Sequence, residues 1–435
     1  MTPCASTATS TSARPDASTA EEGIPAAELA SRTHTGTVAL RSTYGGGGTL
    51  TAMLDSQTAT RPESVRRSAT LAGKLKLAAR RQSAHTHMAL WEAVPSIDFS
   101  AFPVGTCAAV DERWTPNEAQ LEVCARIDEV CRVHGFCTLR NTGVTPAELD
   151  ASFGAGRALF AMDPSQKAQL AVHDKKTGGN RGYFPFRTEA LDSRRANDVK
   201  EAFNVRRTAM DWRGCPDGFA ARQTAMYETA AELADRFLLA CAVALGLDDP
   251  LFFTRRHVDK DLCTLRLLHY PALDAAPGSA AVGGEAEPTQ AVRAGEHTDF
   301  GAVTFVFVST AGGPDAARGL QVRKPAGHVT ADTDCWLDVT PGPGEVVVNT
   351  GGLLAQWTND YWTATSHRVI VTPAALQQPR YSLAFFVDPD SEEVIECLPR
   401  FCSDAAPPRY APITSKAYLL AKLAEAQQRP GVTAG

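Results

Sequence analysis

The sequence lacks the features of a membrane-spanning or a disulfide-stabilised secreted protein. No stretch approaches the run of about 20 apolar residues that a spanning helix needs, and the first residues contain no apolar core of a secretory signal. The 11 cysteines show no CxxC or other paired spacing, and their number is odd. This usage is typical of reduced thiols rather than of a disulfide framework. We therefore expect a soluble, cytoplasmic protein.

An excess of charge of one sign is also missing. The chain has 43 Lys and Arg residues against 49 Asp and Glu residues, a net charge of −6 at pH 7. This balance provides no electrostatic basis for binding nucleic acid or an anionic membrane. At 435 residues, of which 44% are hydrophobic, the chain suits one large domain with additions or two to three average ones. We expect a small-molecule partner, no nucleic-acid or membrane partner, and a monomer.

Residues 1–87 lack a sustained hydrophobic period. They are rich in Ser, Thr and Ala and include the run YGGGGT. Such a segment buries too little apolar surface to offset the entropy of ordering it. Its later part is basic, which is typical of an organellar transit peptide, although the acidic residues of the segment argue against one. Three interpretations stay open: a disordered leader, a transit peptide with organellar import, or upstream sequence ahead of a start at Met88.

Residues 88–250 predict a region of helices and strands. Thr115 followed by Glu118 has the spacing of a capping box, and it predicts a helix that ends at Gly135. Pro116 between them suits the first helical turn. Thr145 begins a second segment, TPAEL, with the same helix-start pattern.

The hydrophobic period changes from 3.6 to 2 after a long helix predicted over about 222–245, which ends at Gly246. Residues 251–395 contain short apolar runs such as VTFVFV, EVVVN and SLAFFV, separated by Gly, Pro and Asp. Regular short strands of this kind are typical of a sandwich or jelly roll. Residues 396–435 contain a final helix, capped by Thr414, and a tail. The expected fold is mainly β with flanking helices and a jelly-roll core.

A histidine and an aspartate stand two residues apart in GEHTDFG, within a run that predicts a strand. Alternate residues of a strand face the same side, so His297 and Asp299 are expected to project together toward the interior. A buried carboxylate needs a partner, and a metal ion is one candidate. His367 opens a later β-branched run, SHRVIV. Two histidines and one carboxylate form the ligand set of non-haem Fe(II) oxygenases, which leaves coordination positions open for other ligands.

A second His-x-Asp pair shows that this spacing alone is weak evidence. His257 and Asp259 lie in FTRRHVDKD, a charged stretch without a strand pattern. We interpret that pair as solvated surface rather than as a metal site.

An arginine and a serine form a further polar pair in RYSLAFF. Arg380 and Ser382 are again two residues apart on a predicted strand. The planar guanidinium binds a carboxylate through two parallel hydrogen bonds, and a hydroxyl adds a donor to the same oxygens. Beside a metal with open positions, this pair predicts a 2-oxo acid co-substrate together with O2. Because Arg-x-Ser also occurs in the leader, the argument depends on chain order and strand context.

Taken together, residues from about 94 to 425 resemble the isopenicillin-N-synthase-like branch of the Fe(II)/2-oxoglutarate-dependent oxygenases. The matching stretches occur in family order and include VCRVHGFCTLRNTGV, RAGEHTDFGAVT, SHRVIV and RYSLAFFVDPD. LRLLHYPA with VRAGEHTD is especially similar to thymine 7-hydroxylase-type enzymes. The resemblance implies a double-stranded β-helix core. It assigns six residues to cofactors: His297, Asp299 and His367 to iron, and Arg380, Ser382 and Tyr270 to 2-oxoglutarate.

The activity implied is oxidation, by default hydroxylation, of a small organic molecule with release of succinate and CO2. Phe386 follows Ser382 by four residues and Arg266 precedes Tyr270 by four, which favours contact with substrate in the pocket for both. The alternatives that stay open are an ordinary core phenylalanine for Phe386 and a surface strand residue for Arg266. Tyr183, in NRGYFPF, is expected on a loop over the mouth. Two alternatives are an Fe(II) oxidase that does not use 2-oxoglutarate, and a non-catalytic small-molecule binding protein on the same fold.

The sequence departs from the family pattern in three places. Gly352 in VNTGGLL stands where many members have Asp, the stretch 274–292 is a longer loop than usual, and the leader is also longer than usual. We expect the first departure to change a local turn rather than the chemistry, and the second to be flexible surface.

Overall fold

The computed structural model describes residues 91–111, 113–174, 179–188, 198–272, 292–325, 335–373 and 377–427. The predictions for residues 1–87, for a start at Met88 and for all but the last residue of 274–292 lie outside these ranges.

Six α-helices occur within the described ranges. They are α1 (Glu118–Val133), α2 (Pro146–Phe160), α3 (Pro164–Ala168), α4 (Phe219–Ala244), α5 (Gly352–Trp357) and α6 (Ser415–Gln427). Among the residues described, no helix combines the length and the hydrophobicity required to cross a bilayer. In α4 the residues Met226, Ala230, Leu233, Phe237 and Cys241, which recur at helical spacing, are buried, and Ala244 at the end of the same stripe is half-buried.

Fifteen strands were found in the same ranges. They are β1 (Ser96–Asp98), β2 (Phe136–Arg140), β3 (Ala171–Asp174), β4 (Gly179–Phe184), β5 (Glu201–Val205), β6 (Thr264–Tyr270), β7 (Val292–His297), β8 (Val303–Val308), β9 (Leu320–Arg323), β10 (Trp336–Asp338), β11 (Val346–Thr350), β12 (His367–Ile370), β13 (Arg380–Val387), β14 (Val394–Ile395) and β15 (Ile413–Thr414).

Two large sheets face each other and form the core. One has nine strands in the order β1-β2-β11-β8-β13-β6-β5-β4-β3, the other has four in the order β10-β9-β12-β7, and β14 pairs with β15. Apart from the parallel pair β1–β2, neighbouring strands are antiparallel. Buried apolar residues of both sheets pack together, including Phe136 and Val347 from the larger and Val322 and Val369 from the smaller. The predicted fold class, mainly β with a jelly-roll core and flanking helices, is confirmed.

Helices cover the outer face of the nine-stranded sheet. Ile127 of α1, Phe153 of α2 and Phe237 of α4 belong to one buried cluster with Phe305 and Phe385 of the sheet. Each such side chain stabilises the fold by about 1.5–3 kcal/mol through removal of apolar surface from water. Because the helices pack against the outer face of the sheet, only its inner face, which packs against the smaller sheet, is available for a site.

The start of α1 differs from the prediction. Asn117, not Thr115, is the N-cap: its side chain accepts a hydrogen bond from Gln120 N at 2.9 Å, and the Gln120 side chain accepts one from Asn117 N at 3.0 Å. The prediction of Thr115, Pro116 and Glu118 as the start of the helix was wrong, because a neighbouring pair with the same three-residue spacing closes the capping box. The predicted end at Gly135, which has a φ of 63°, is confirmed.

The other predicted helix boundaries agree with the structure. Thr145 caps α2 in a capping box with Glu148. Gly246 follows the last turn of α4 with a φ of 64°, a conformation that glycine adopts without steric cost. At the start of α6 the Thr414 hydroxyl accepts a hydrogen bond from Ala417 N at 3.3 Å.

His257 does not lie on the solvated surface, so that prediction was wrong for half of the pair. Its side chain is fully buried, and its Nδ1 lies 2.7 Å from the carbonyl oxygen of Phe253. Asp259 is exposed, as predicted. Burial lowers the pKa of His257 from 6.5 to about 4, so the imidazole is neutral in the folded protein near pH 7.

Replacing Asn117 by Ala should lower the free energy of unfolding by about 1 kcal/mol, because it removes the acceptor for an amide at the start of α1. Thr115→Ala is the matched control, since Thr115 is exposed and lies outside the helix. It should change stability by less than about 0.5 kcal/mol. Urea denaturation of both variants measures the difference. An equal loss of unfolding free energy in the two variants would contradict the assignment of Asn117 as the N-cap.

Acid should destabilise the protein partly through His257. Below its unfolded pKa near 6.5, the unfolded chain takes up a proton that the buried ring does not accept until about pH 4. Stability is therefore lost as pH falls through this window, by up to about 3 kcal/mol from this group. His257→Asn keeps a donor for the Phe253 carbonyl and cannot titrate. Urea denaturation across the window should give a shallower pH dependence for the variant; parallel curves would contradict this account.

Candidate metal and co-substrate site

Two strands of the smaller sheet bring the predicted histidines together. His297 is the last residue of β7, His367 is the first of β12, and the two are direct partners in the antiparallel register. Their ring centroids lie 4.3 Å apart. Partners on adjacent strands place their side chains side by side on one face, so strand pairing itself creates the two-histidine edge of the site.

Asp299 completes a three-residue cluster. Its Oδ1 lies 3.8 Å from His297 Nε2 and 3.7 Å from His367 Nε2. One donor atom from each residue falls within 4.8 Å of the others, the only such group of three in the described part of the chain. The predicted metal ligands are therefore assembled at one point.

Hydrogen bonds orient both imidazoles for coordination. His297 Nδ1 lies 2.7 Å from the carbonyl oxygen of Gly295, and His367 Nδ1 lies 3.3 Å from that of Thr365. A carbonyl oxygen only accepts, so each Nδ1 carries the proton and each Nε2 presents a lone pair to the cluster. Burial and the neighbouring His367 lower the pKa of His297 to about 3, which keeps this ring neutral.

The carboxylate of Asp299 is held in its ionised form. Burial alone would raise its pKa, but His367 and His297 and hydrogen bonds from Thr304 and Asn349 lower it below the ordinary value. Asn349 Nδ2 donates to Oδ2 at 2.7 Å, which leaves Oδ1 directed at the histidines. Two neutral imidazole nitrogens and one carboxylate oxygen are the donor set that Fe(II) oxygenases use. The residues present fit such an ion.

Asp299 lies in a short segment between two strands rather than within a continuous strand. GEHTDFG was predicted to lie within a strand, but the strand ends at His297 and the next one begins at Val303. In this segment, the Asp299 carbonyl accepts a hydrogen bond from Gly352 N at 2.9 Å. A Cβ on the preceding Gly351 would lie 2.2 Å from the Gly301 carbonyl oxygen, so only glycine permits this close approach. The start of α5 thus holds the segment that carries the carboxylate.

Arg380 and Ser382 lie together in the larger sheet. They begin β13 on its inner face, where Arg380 pairs in register with Tyr270 and Ser382 with Leu268 of β6. Arg380 Nη1 donates to Ser382 Oγ at 3.2 Å, and the guanidinium carbon lies 5.3 Å from the centroid of the Tyr270 ring. The three residues predicted to bind 2-oxoglutarate are therefore neighbours.

The guanidinium of Arg380 is buried without an anion. Its side chain is 4% exposed, burial lowers its pKa, and its Nε has no hydrogen-bond partner. Within the described ranges, no Asp or Glu forms an ion pair with it. A buried cation is destabilising unless it is paired, so this arrangement fits a ligand that brings a carboxylate.

One cavity of about 250 Å³ joins these groups. It is lined by the three residues of the metal cluster, by Arg380, Ser382 and Tyr270, and by two predicted substrate contacts, Arg266 and Phe386. The Arg266 guanidinium carbon lies 5.0 Å from the centroid of the Phe184 ring. Eight of the nine predicted site residues thus share one space.

Tyr183 is the ninth and does not line this cavity. NRGYFPF is not a loop over the mouth: residues up to Phe184 form β4, which pairs with β3 and β5. The Tyr183 hydroxyl donates to the Glu201 carboxylate at 2.5 Å, and Lys167 Nζ donates to the same oxygen at 2.8 Å. His269 Nδ1 lies 2.7 Å from the other Glu201 oxygen.

Sequence reasoning missed several polar residues of the cavity, among them Asn349, Lys200 and Asp388. Asn349 orients Asp299, Lys200 Nζ pairs with Asp198 Oδ2 at 2.6 Å, and Asp388 is a buried carboxyl whose pKa burial raises to about 7. The signal for Asn349 was a single amide within the apolar run VVVNT. A polar residue in such a run is costly unless it has a partner, and that partner is the iron-ligand candidate itself.

Comparisons with known proteins agree with this geometry. The N-terminal model of non-haem dioxygenases in morphine synthesis matches residues 94–217, and that of the 2OG-Fe(II) oxygenase superfamily matches 264–389. A 2-oxoglutarate-Fe(II) type oxidoreductase of Emericella nidulans is 28% identical over 74% of this chain and 87% of its own. Validamycin A dioxygenase of Streptomyces hygroscopicus subsp. limoneus is 31% identical over 69% of this chain and 78% of its own.

Among solved structures, full-length Neurospora crassa thymine 7-hydroxylase with 2-oxoglutarate and thymine is 28% identical, with a TM-score of 0.61. The alignment covers 76% of this chain and 96% of that one. The two family models match the helical N-terminal region and the jelly roll, and the second includes the triad and the buried arginine. The chain therefore belongs to the 2OG-Fe(II) oxygenase superfamily and is a non-haem Fe(II)- and 2-oxoglutarate-dependent dioxygenase.

Proposed function

We propose that this chain hydroxylates a small, flat organic molecule bound between Phe386 and Arg266. Iron would be held by His297, Asp299 and His367. The observation that carries the proposal is the unpaired, buried guanidinium of Arg380, which opens on the same cavity as the metal cluster. A structural His-Asp-His cluster alone would have no need of such a cation.

The three ligands would offer the ion two nitrogens and one oxygen. Both imidazoles are fixed by their Nδ1 hydrogen bonds, and Asp299 is fixed by Asn349, so no ligand has to reorient on binding. When bound, iron with 2-oxoglutarate and O2 supplies the oxidising power, and succinate and CO2 are the by-products. The protein supplies the orientation of the reactants and a site shielded from water.

Arg380 and Ser382 would bind the distal carboxylate of 2-oxoglutarate. The guanidinium pairs with the carboxylate, the Ser382 hydroxyl lies beside it, and the Tyr270 ring covers the guanidinium. The loss of hydration at Arg380 is then compensated by a charged ligand rather than by a protein group. This explains why burial of the arginine is compatible with a stable fold.

The far end of the cavity would receive the substrate. Phe386 and Arg266 lie on adjacent strands of the larger sheet and are diagonal neighbours. Phe386 pairs with Thr264, and Arg266 pairs with Ala384, two residues before Phe386. A flat ring can stack on the phenylalanine while an acceptor atom on its edge meets the guanidinium. The structure of the Neurospora crassa enzyme contains thymine, which has this combination of a flat ring and carbonyl acceptors. Thymine is therefore the first compound to test.

The charge balance of the chain supports a proposal on the kind of substrate. With a net charge of −6 the chain has no excess of basic residues to attract nucleic acid, and we infer that it acts on free small molecules. We propose that it does so as a monomer in the cytoplasm.

Replacing Arg380 by Ala should weaken 2-oxoglutarate binding about 10- to 100-fold, because a charge-assisted pair in a buried site is lost. Anaerobic titration of the Fe(II) protein with 2-oxoglutarate, followed by the visible charge-transfer band, measures the affinity. Succinate release on addition of thymine and related flat heterocycles then tests the reaction.

The matched control is Arg140→Ala, which removes an exposed arginine of β2 that pairs with Asp98. Its titration should overlay the wild type. A wild-type protein that binds Fe(II) but gives no band with 2-oxoglutarate would refute the assignment of Arg380 and Ser382. A band without succinate release from any flat heterocycle would refute only the substrate class.

Asn349→Ala should reduce affinity for Fe(II) about 10- to 100-fold, because Asp299 loses the hydrogen bond that orients it. Competition with a chromophoric chelator measures the affinity. Thr350→Val is the control: it removes a buried hydrogen bond from the next residue of the same strand, on the opposite face. Equal losses in the two variants would show that general loosening of β11, not the Asp299 contact, is responsible.

A further inference from the structure

The C-terminal helix forms one side of the cavity. Leu419 and Leu423 of α6 lie four residues apart, which places them on one face of the helix, and both line the cavity with the metal cluster. Leu420, the next residue along, is 36% exposed and faces solvent. The helix therefore presents a leucine pair to the cavity and a third leucine away from it.

The first turn of α6 is attached to the segment that follows β13. Ser415 N donates to Glu393 O at 2.9 Å, and Ser415 Oγ donates to Pro389 O at 2.9 Å. Lys416 N donates to Ser391 O at 3.1 Å. Because β13 begins with Arg380, the helix start is connected through a short stretch of backbone to the strand that carries the co-substrate residues.

A second attachment lies one turn further along, where Tyr418 rests on Gly352. A Cβ built on Gly352 would lie 2.4 Å from Tyr418 Oη and 3.5 Å from its Cζ. The backbone of Gly352 does not have a positive φ, so its conformation alone does not require glycine. The missing side chain leaves the space that the tyrosine hydroxyl occupies. This is the position where many members of the family have Asp.

Gly352 also contacts the metal cluster through its backbone. Its N–H donates to the carbonyl of Asp299 at 2.9 Å. The residue that receives Tyr418 is thus the residue that holds the loop of the iron-ligand candidate. Helix α6, the start of α5 and the Asp299 segment form one continuous set of contacts.

We propose that α6 is the outer wall of the substrate cavity, with Leu419 and Leu423 as specificity-determining contacts and the Tyr418–Gly352 contact as its anchor. The inference rests on the proposed function in one respect, that this cavity receives the substrate. The leucines select a substrate with an apolar edge or alkyl substituent on the side that contacts the helix. They also limit its size, since an apolar group that fits is favoured and a longer one meets the helix.

The wall is tested with Leu419→Ala and Leu423→Ala, and Leu420→Ala is the matched control on the solvent face. The full chain is loaded anaerobically with Fe(II) and 2-oxoglutarate, and 8-anilinonaphthalene-1-sulfonate is titrated by fluorescence. The dye should bind about three- to tenfold more tightly to the first two variants than to wild type, because each truncation opens apolar space in the cavity. Leu420→Ala should match wild type. Equal titrations of all four proteins overturn the proposal.

The anchor is tested by hydrogen–deuterium exchange of the α6 amides. Gly352→Ala should speed their exchange about tenfold, because the new Cβ displaces the tyrosine from a packed position. Tyr418→Phe alone should exchange like wild type. The double variant should return to wild-type exchange, since without Oη the nearest ring atom to the Cβ lies at an ordinary contact distance of 3.5 Å. Unchanged exchange in Gly352→Ala, or no rescue in the double variant, overturns the anchor.

The Fe(II)–2-oxoglutarate charge-transfer band, recorded on the same samples, separates the two proposals. A missing band in the wild type counts against the proposed function, while the dye and exchange data still decide on the wall. A normal band in every variant, with no effect of the leucine or glycine substitutions, overturns the wall alone.

Discussion

The burial of one carboxylate is the constraint around which the rest of the site is built. Asp299 is 8% exposed, and an ionised group at that depth must be compensated locally. Three groups compensate it: the paired histidines of the smaller sheet, the amide of Asn349 and the hydroxyl of Thr304. Separately, the N–H of Gly352 donates to the backbone carbonyl of Asp299 and holds the segment in place. Strand pairing, the gap between two strands and a helix start therefore position one residue, whose Oδ1 lies beside both histidines.

The same cavity also contains a buried positive charge, that of Arg380. Within the described ranges Arg380 is buried as a cation without a protein anion, while Asp299 and the histidines form a cluster of metal-ligand type. Under the proposed function, a metal ion would complete the cluster and the carboxylate of 2-oxoglutarate would pair with Arg380. The arrangement is possible because helices fill the outer face of the larger sheet with apolar contacts, which supply the stability that the polar interior does not.

Local patterns predicted what depends on local physics. Thr145 capped its helix as expected, and the alternating runs after residue 250 formed the jelly roll. Prediction was wrong where two local solutions competed or where distant contacts decided. Asn117 replaced Thr115 as a cap because both offered an acceptor at the required spacing, and His257 was buried because Phe253 and the surrounding core enclosed it. NRGYFPF became a strand because β3 and β5 lay on either side to receive its hydrogen bonds.

The sequence by itself determined the chemical inventory: a His-x-Asp pair, a second histidine, an Arg-x-Ser pair and strands whose alternation turns them inward. It did so because residue type and the two-residue period are properties of the chain alone. Only the tertiary structure decided which polar residues became partners. Asn349 with Asp299, and Tyr418 with Gly352, are contacts between segments far apart in the chain. No local pattern encodes such a contact, because it depends on the packing of whole elements and on the space that one missing side chain leaves.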